Sequence, residues 1–230
     1  MPDSDFGSAS LSLAMTLPAE LDPYFARIAV GDYAGRLDVE LNLLDRAQAT
    51  EWTGLLTYHP IVAALGGIVL DDPETSNHHV YASRSPLRGS VFYLAHDDDS
   101  RIVYASLADF LAAADDAKRQ QTWLSELHPA CSPVAADQAG LSRWIGELIG
   151  GQAGHDVVMA LVPSLDLTDT ALLRRLVTDP DFFLGEAVAA EIEKRPTRAL
   201  GPIAELCTLH PHPQVVSAGR LAARAIATLR

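Results

Sequence analysis

Two neighbouring stretches decide the fold of this chain. They are Gly67-Ile68-Val69-Leu70-Asp71-Asp72-Pro73-Glu74-Thr75-Ser76-Asn77-His78-His79-Val80-Tyr81-Ala82 and Ser90-Val91-Phe92-Tyr93-Leu94-Ala95-His96-Asp97-Asp98-Asp99-Ser100-Arg101-Ile102-Val103-Tyr104-Ala105. Gly67 to Leu70 and His79 to Ala82 are short apolar runs on either side of a loop rich in turn formers. Ser90 to His96 is aromatic and β-branched, the composition that packs well on a pleated sheet. After the acidic turn Asp97-Asp98-Asp99-Ser100, Arg101 to Ala105 returns as a second run, so the pair reads as a β-hairpin. Ser106 then caps a helix, with Asp109 three positions on as a capping-box-like acid. Leu107, Phe110, Leu111 and Ala114 form its apolar face.

Upstream, Leu17-Pro18-Ala19-Glu20-Leu21 opens a helix, because proline costs no hydrogen bond in the first turn. Leu21, Tyr24, Phe25 and Ile28 recur at helical spacing and Gly31 is a stop. Leu37, Val39, Leu41 and Leu43 alternate with polar residues, which predicts a half-buried strand over 36–44. Asp45 to Leu56 reads as helix.

Downstream of residue 115 nearly everything reads as helix. Trp123, Leu124 and Leu127 mark one that ends in Pro129 to Pro133, and Leu141, Trp144, Ile145 and Leu148 mark another. Gly150-Gly151-Gln152-Ala153-Gly154 is the most flexible piece by composition. Beyond it, a helix over 169–178, Asp179-Pro180, and a helix over 181–194 are followed by a helix over 202–209, His210-Pro211-His212-Pro213, and a helix over 214–229. Gly185 and Gly219 lie 34 residues apart, and so do Ile192 and Ile226. That is a weak helical-repeat pattern, with an ordinary helical bundle as the alternative. Trp52, Trp123 and Trp144 are expected in the core. The resulting division is a tail at 1–14, an α+β unit at 15–117, a helical linker region at 118–154 and a helical segment at 155–230.

Composition narrows the function. The 230 residues are 48% hydrophobic and carry a formal net charge of −13. Nucleic-acid binding needs clustered Lys and Arg, and an anionic membrane surface repels such a chain. A basic protein partner gains from long-range attraction, although acidity also serves solubility alone. Met1 to Ser10 has no basic leader region, and the longest apolar run, Ile61 to Leu70, is too short to span a bilayer. Cys131 and Cys207 are too few and too far apart for a disulfide framework or a zinc site. A cytoplasmic location with two reduced thiols follows from these readings.

No nucleophile elbow, phosphate-binding loop or dinucleotide fingerprint is present. His96-Asp97-Asp98-Asp99 could bind a metal ion, but consecutive residues rarely converge on one, and acids suit a solvated turn. His78-His79 and His210-Pro211-His212 lack an identifiable third ligand. His128 near Cys131 is a weak pointer to thiol chemistry, because catalytic partners are usually distant in sequence. No cofactor and no metal are expected.

The stretch Gly89-Ser90-Val91-Phe92-Tyr93-Leu94-Ala95-His96-Asp97, followed by Ser106-Leu107-Ala108-Asp109-Phe110-Leu111 and preceded by the Leu17-Pro18-x-x-Leu21 opening that ends at Gly31, resembles the SUKH superfamily over residues ~15–115. Leu107 stands where that family often has an aromatic, and Val30-Gly31 replaces its usual Asn-Gly. The C-terminal segment resembles HEAT-type helical repeats. The resemblance implies a twisted sheet with surrounding helices, followed by an all-α segment. It also implies a non-catalytic, protein-binding role: an immunity protein that neutralises a basic toxin by direct binding. The alternative is a regulatory or scaffold protein of envelope or signalling assemblies, and a third reading is a metal-dependent hydrolase built on His96. In the binding reading Asp71, Asp72, Glu74, Asp97, Asp98 and Asp99 are the partner-contacting residues, steering a cationic partner and hydrogen-bonding at its rim.

Overall fold

The computed structural model describes residues 16–96, 100–149 and 154–229. The tail 1–14, the acidic triplet Asp97 to Asp99 and most of the glycine-rich segment at 150–154 lie outside the described residues. The first helix, α1 (Asp22–Val30), follows a 3₁₀ turn over Ala19–Leu21. Pro18 precedes that turn and Pro23 sits in the first turn of α1, where a missing N–H costs nothing. α2 (Arg46–Leu56) starts with a full capping box: Asp45 accepts the Gln48 N–H at 2.9 Å, and Gln48 accepts the Asp45 N–H at 3.0 Å.

The strand expected over 36–44 is absent. A 3₁₀ turn over Leu37–Val39 takes its place, closed by reciprocal hydrogen bonds between Arg36 and Leu41 at 2.8 and 3.0 Å. Val39, Leu41 and Leu43 are buried as the alternation suggests, whereas Leu37 is 38% exposed. Alternation reports which side chains face inward. A strand also needs a hydrogen-bonding neighbour along its length; here Arg36 and Leu41 bridge only each other across the turn, and Leu43 bridges Asp71. A short helix that the apolar run Ile61 to Leu70 concealed, α3 (Pro60–Leu65), ends at Gly66, whose φ of 57° favours glycine.

The sheet is a four-stranded antiparallel meander in the order β1 (Ile68–Val69), β2 (His78–Tyr81), β3 (Val91–Leu94) and β4 (Arg101–Tyr104). Val80 pairs with Phe92 and Phe92 with Ile102, and a bulge lies between Val91 and Phe92. α4 (Leu107–Gln120) follows directly, with the Ser106 hydroxyl accepting the Asp109 N–H at 3.2 Å. Phe110, Leu111, Ala114 and Ala117 form its buried face.

Both faces of the sheet are covered. Tyr81, Val91, Val103 and Tyr104 belong to one apolar cluster with Tyr24, Leu44, Ala49 and Phe110. Val80, Phe92, Leu94 and Ile102 belong to a second cluster, formed with the helices after residue 137: α5 (Gln138–Leu148), α6 (His155–Leu161), α7 (Thr170–Val177), α8 (Phe182–Lys194), α9 (Gly201–Thr208) and α10 (Pro213–Ala227). All four residues of β2 are therefore buried, where a one-sided sheet would alternate. The α+β unit and the helical segment share this second cluster. The chain between them is no passive linker either, because Leu141 and Ile145 of α5 have no exposed surface.

The helix expected around Trp123 shrinks to a 3₁₀ turn over Leu124–Leu127. Its first residue, Leu124, points inward, and Trp123 stays outside at 52% exposure, so this tryptophan is not core. Trp52 and Trp144 are half-buried against the two clusters. The four C-terminal helices fall where their periodicity places them. Both spaced glycines sit at close helix approaches: a Cβ on Gly185 would meet Val215 at 3.3 Å, and one on Gly219 would meet Cys207 Cβ at 2.6 Å and the Thr208 nitrogen at 2.9 Å. Among the described residues no helix is long and apolar enough to cross a membrane. Gly219→Ala is expected to destabilise the protein by about 2 kcal/mol through overpacking. Gly54→Ala, in open space on exposed α2, is expected to stabilise it by about 0.5–1 kcal/mol. Urea denaturation of the two variants reads both signs.

Candidate functional site

Where β1 leaves the sheet, Asp71 turns its carboxylate into the interior. It has no exposed surface. Oδ1 accepts the His79 backbone N–H at 2.6 Å, and Oδ2 lies 2.5 Å from His79 Nδ1. The far nitrogen of the same ring, His79 Nε2, lies 2.9 Å from His128 Nε2. The backbone carbonyl of Asp71 is 3.1 Å from His78 Nδ1. The result is a continuous Asp71–His79–His128 chain. It is walled by Tyr93, Tyr104 and Phe110, whose ring centroids lie 5.1, 6.2 and 4.9 Å from that of His79.

The surroundings fix its electrostatics. Burial, the neighbouring His79 and the Arg101 guanidinium hold the His128 imidazole down to about 3, so it resists taking up a proton. Burial, with the negative charge of Asp71 nearby, raises the Tyr104 phenol. The Tyr104 hydroxyl is buried without a hydrogen-bond partner. Such a chain can hold one proton in a defined place and orient both imidazoles. Among the described residues no group of three or more His, Cys, Asp or Glu is placed to hold a metal ion.

The six acids expected to contact a partner do not share one environment. Asp71 is corrected outright: its carboxylate is spent on His79 inside the protein and offers nothing to a rim contact. Its sequence neighbour is different. Asp72 is half-buried, and its Oδ1 accepts the Glu74 N–H at 3.2 Å, which shapes the turn and leaves Glu74 exposed. Asp97, Asp98 and Asp99 lie outside the described residues. His96, just before them, donates its backbone N–H to Asn77 Oδ1 at 2.8 Å, so the Asp72–Asn77 loop and the end of β3 are tied together. His210 and His212 also have local roles: His210 Nδ1 accepts the His212 N–H at 3.0 Å, and the His212 ring stacks on Phe182 at 3.5 Å.

From that end of the sheet a groove of about 760 Å³ runs along α6 and α8. Ala95, His96 and Arg101 form its sheet side, and Asp156, Phe183 and Glu186 its helical side. Phe183 is 47% exposed. Two cations on its walls are already engaged: Lys194 lies 2.9 Å from Glu191, and Arg101 donates to the Pro129 carbonyl at 2.6 Å. None of Asp156, Phe183, Glu186 or the His79–His128 pairing was marked by sequence pattern. His128 is 49 residues from His79, and Phe183 sits in a helix that buries Leu184, Val188, Ala189 and Ile192.

No family model, no curated protein and no solved structure matches this chain. Its class is therefore set by its own architecture: an α+β protein whose antiparallel sheet is enclosed by helices on both sides. Asp71→Ala leaves two buried donors of His79 unanswered and is expected to cost about 3 kcal/mol. Asp72→Ala and Glu74→Ala are expected to stay within about 0.5–1 kcal/mol of the parent. Chemical denaturation of the three variants separates the interior acid from the surface ones.

Proposed function

We propose that this chain is a non-catalytic protein-binding protein, and that the groove between the β3–β4 end of the sheet and helices α6 and α8 receives a basic segment of its partner. The observation that carries this reading is the groove's make-up. An exposed aromatic, Phe183, stands among the carboxylates of Asp156 and Glu186, while Arg101 and Lys194 are held by contacts within the protein. An exposed aromatic can anchor an interface, and the carboxylates beside it steer a cationic partner. Glu74 and Asp72 flank the same end of the sheet and extend the negative field. The net charge of −13 adds long-range attraction for a cationic partner.

The resemblance of residues ~15–115 to the SUKH superfamily supports an immunity protein that neutralises a basic toxin. The paired C-terminal helices, with their resemblance to HEAT-type repeats, supply one wall of the groove. A regulatory or scaffold role uses the same surface with a non-toxic partner.

Affinity capture from the native cell, at low and at high salt, compares the parent with an Asp156→Lys/Phe183→Ser/Glu186→Lys variant. The expected result is a stoichiometric basic protein that the parent holds at low salt and releases at high salt, and that the variant binds at least about tenfold more weakly. Equal capture by the variant overturns the groove. A captured partner without toxicity assigns the scaffold role.

A further inference from the structure

The Asp71–His79–His128 chain does more than fill the interior, because His128 does not belong to the sheet. It lies on the segment between the 3₁₀ turn Leu124–Leu127 and α5. That segment is fastened at both ends. The Ser125 hydroxyl reaches Glu40 Oε2 at 2.5 Å, and the Ala135 N–H reaches the Ser164 carbonyl at 3.0 Å. Between these points, among the described residues, it hydrogen-bonds the sheet through His128 on His79 and the Pro129 carbonyl on Arg101, and the His128 ring packs on Tyr93 and Tyr104. Beside the segment lies an open groove of about 490 Å³, lined by Tyr104, Ala112 and Ala113 and by Leu127, Pro129 and Cys131 of the segment.

A hydrogen bond between two Nε2 atoms 2.9 Å apart requires one to donate and the other to accept. The pair therefore holds together only while one ring lacks a proton there. A second proton sets two N–H groups and two positive charges against each other. The groups that face the pair are few. Asp71 offers one negative charge, already shared with His79, and Arg101 of β4 adds a positive one. Tyr93 of β3 and Tyr104 of β4 are phenols, and Phe110 of α4 carries no charge. One carboxylate cannot offset three cations.

We propose that the His79–His128 pair is an acid-operated latch: below neutral pH, protonation of His128 releases the 124–135 segment from the sheet and widens the groove beside it. The sign follows from linkage. His128 resists protonation when latched and takes a proton at the ordinary histidine pH when released. The open state therefore binds the extra proton between those limits, and opening grows as pH falls below about 6.5. The limiting slope is about tenfold per pH unit. This inference is independent of the binding groove and needs no partner.

Hydrogen–deuterium exchange of the whole protein at pH 7, 5.5 and 4.5, corrected for intrinsic rates, reads the latch. Segment 124–135 is expected to lose protection by about tenfold between pH 5.5 and 4.5, while β3 and α8 stay protected. His128→Gln can still accept from His79 through its amide oxygen but cannot become charged, and its segment is expected to show no such pH dependence. The same loss in that variant, or full protection of the parent at pH 4.5, overturns the proposal. Should the variant fail to fold, imidazole nitrogen shifts of the parent decide. Protonation of His128 must coincide with the loss of protection, and protonation without that loss overturns the latch.

Discussion

A four-stranded sheet with helices on both faces leaves its strands no solvent side, and most of this structure follows from that constraint. Every polar group in β2 must find a partner within the protein, because an unsatisfied buried group costs more than a hydrogen bond returns. His79 finds Asp71 and His128, and His78 finds the Asp71 carbonyl and the Trp52 ring. The same demand shapes the edge of the sheet, where Thr53 of α2 accepts the Val69 N–H at 2.9 Å and Tyr24 of α1 donates to the Leu70 carbonyl at 3.0 Å. Helices on the first face are thus tied to the sheet by hydrogen bonds as well as by apolar contact. On the second face the ties are almost wholly apolar, through Phe92, Leu94 and Ile102.

A buried carboxylate recurs in the helical segment and is handled differently. Glu191 of α8 is 3% exposed and meets both Lys194 and Arg195, at 2.9 and 2.7 Å. The Arg195 guanidinium also donates to the carbonyls of Leu165 and Pro163, which ties α8 to the preceding turn. Here one of the cations is a guanidinium, whose charge is permanent. Asp71 relies instead on imidazoles, whose charge depends on the medium. The two buried acids divide the work: one fastens the helices through a permanent charge, and the other fastens a connector conditionally.

Local patterns were legible in the sequence wherever the chain itself supplies the physics. The Ser106 cap, the Asp45 helix start, the β3–β4 hairpin and the four C-terminal helices depend on neighbours within a few residues, and they stand where those residues place them. What depends on distant partners was not legible. Leu37 to Leu43 alternates like a strand but meets the chain leaving β1 only at its end, where Leu43 bridges Asp71. Asp71 and Asp72 are identical neighbours, yet one is interior and one forms a turn, and only the register of β2 decides which. The fold-level reading of a mixed helix-and-sheet chain stands. The division into a sheet unit and a separate helical unit runs into the apolar cluster that both build. The groove was invisible for a related reason: its walls come from segments about 60 to 90 residues apart in the chain.

The shared cluster also bears on how the chain is made. A ribosome delivers β1 to β4 well before α6 to α8. While synthesis proceeds from residue 104 to residue 194, the side chains of Val80, Phe92, Leu94 and Ile102 have only Ile61, Val62 and Leu65 of α3 as helical cover. The nascent chain must carry an open apolar face through that interval, at elongation rates that make it several seconds long. Its polar loops and acidic surroundings then act as a solubilising fringe around an unfinished sheet.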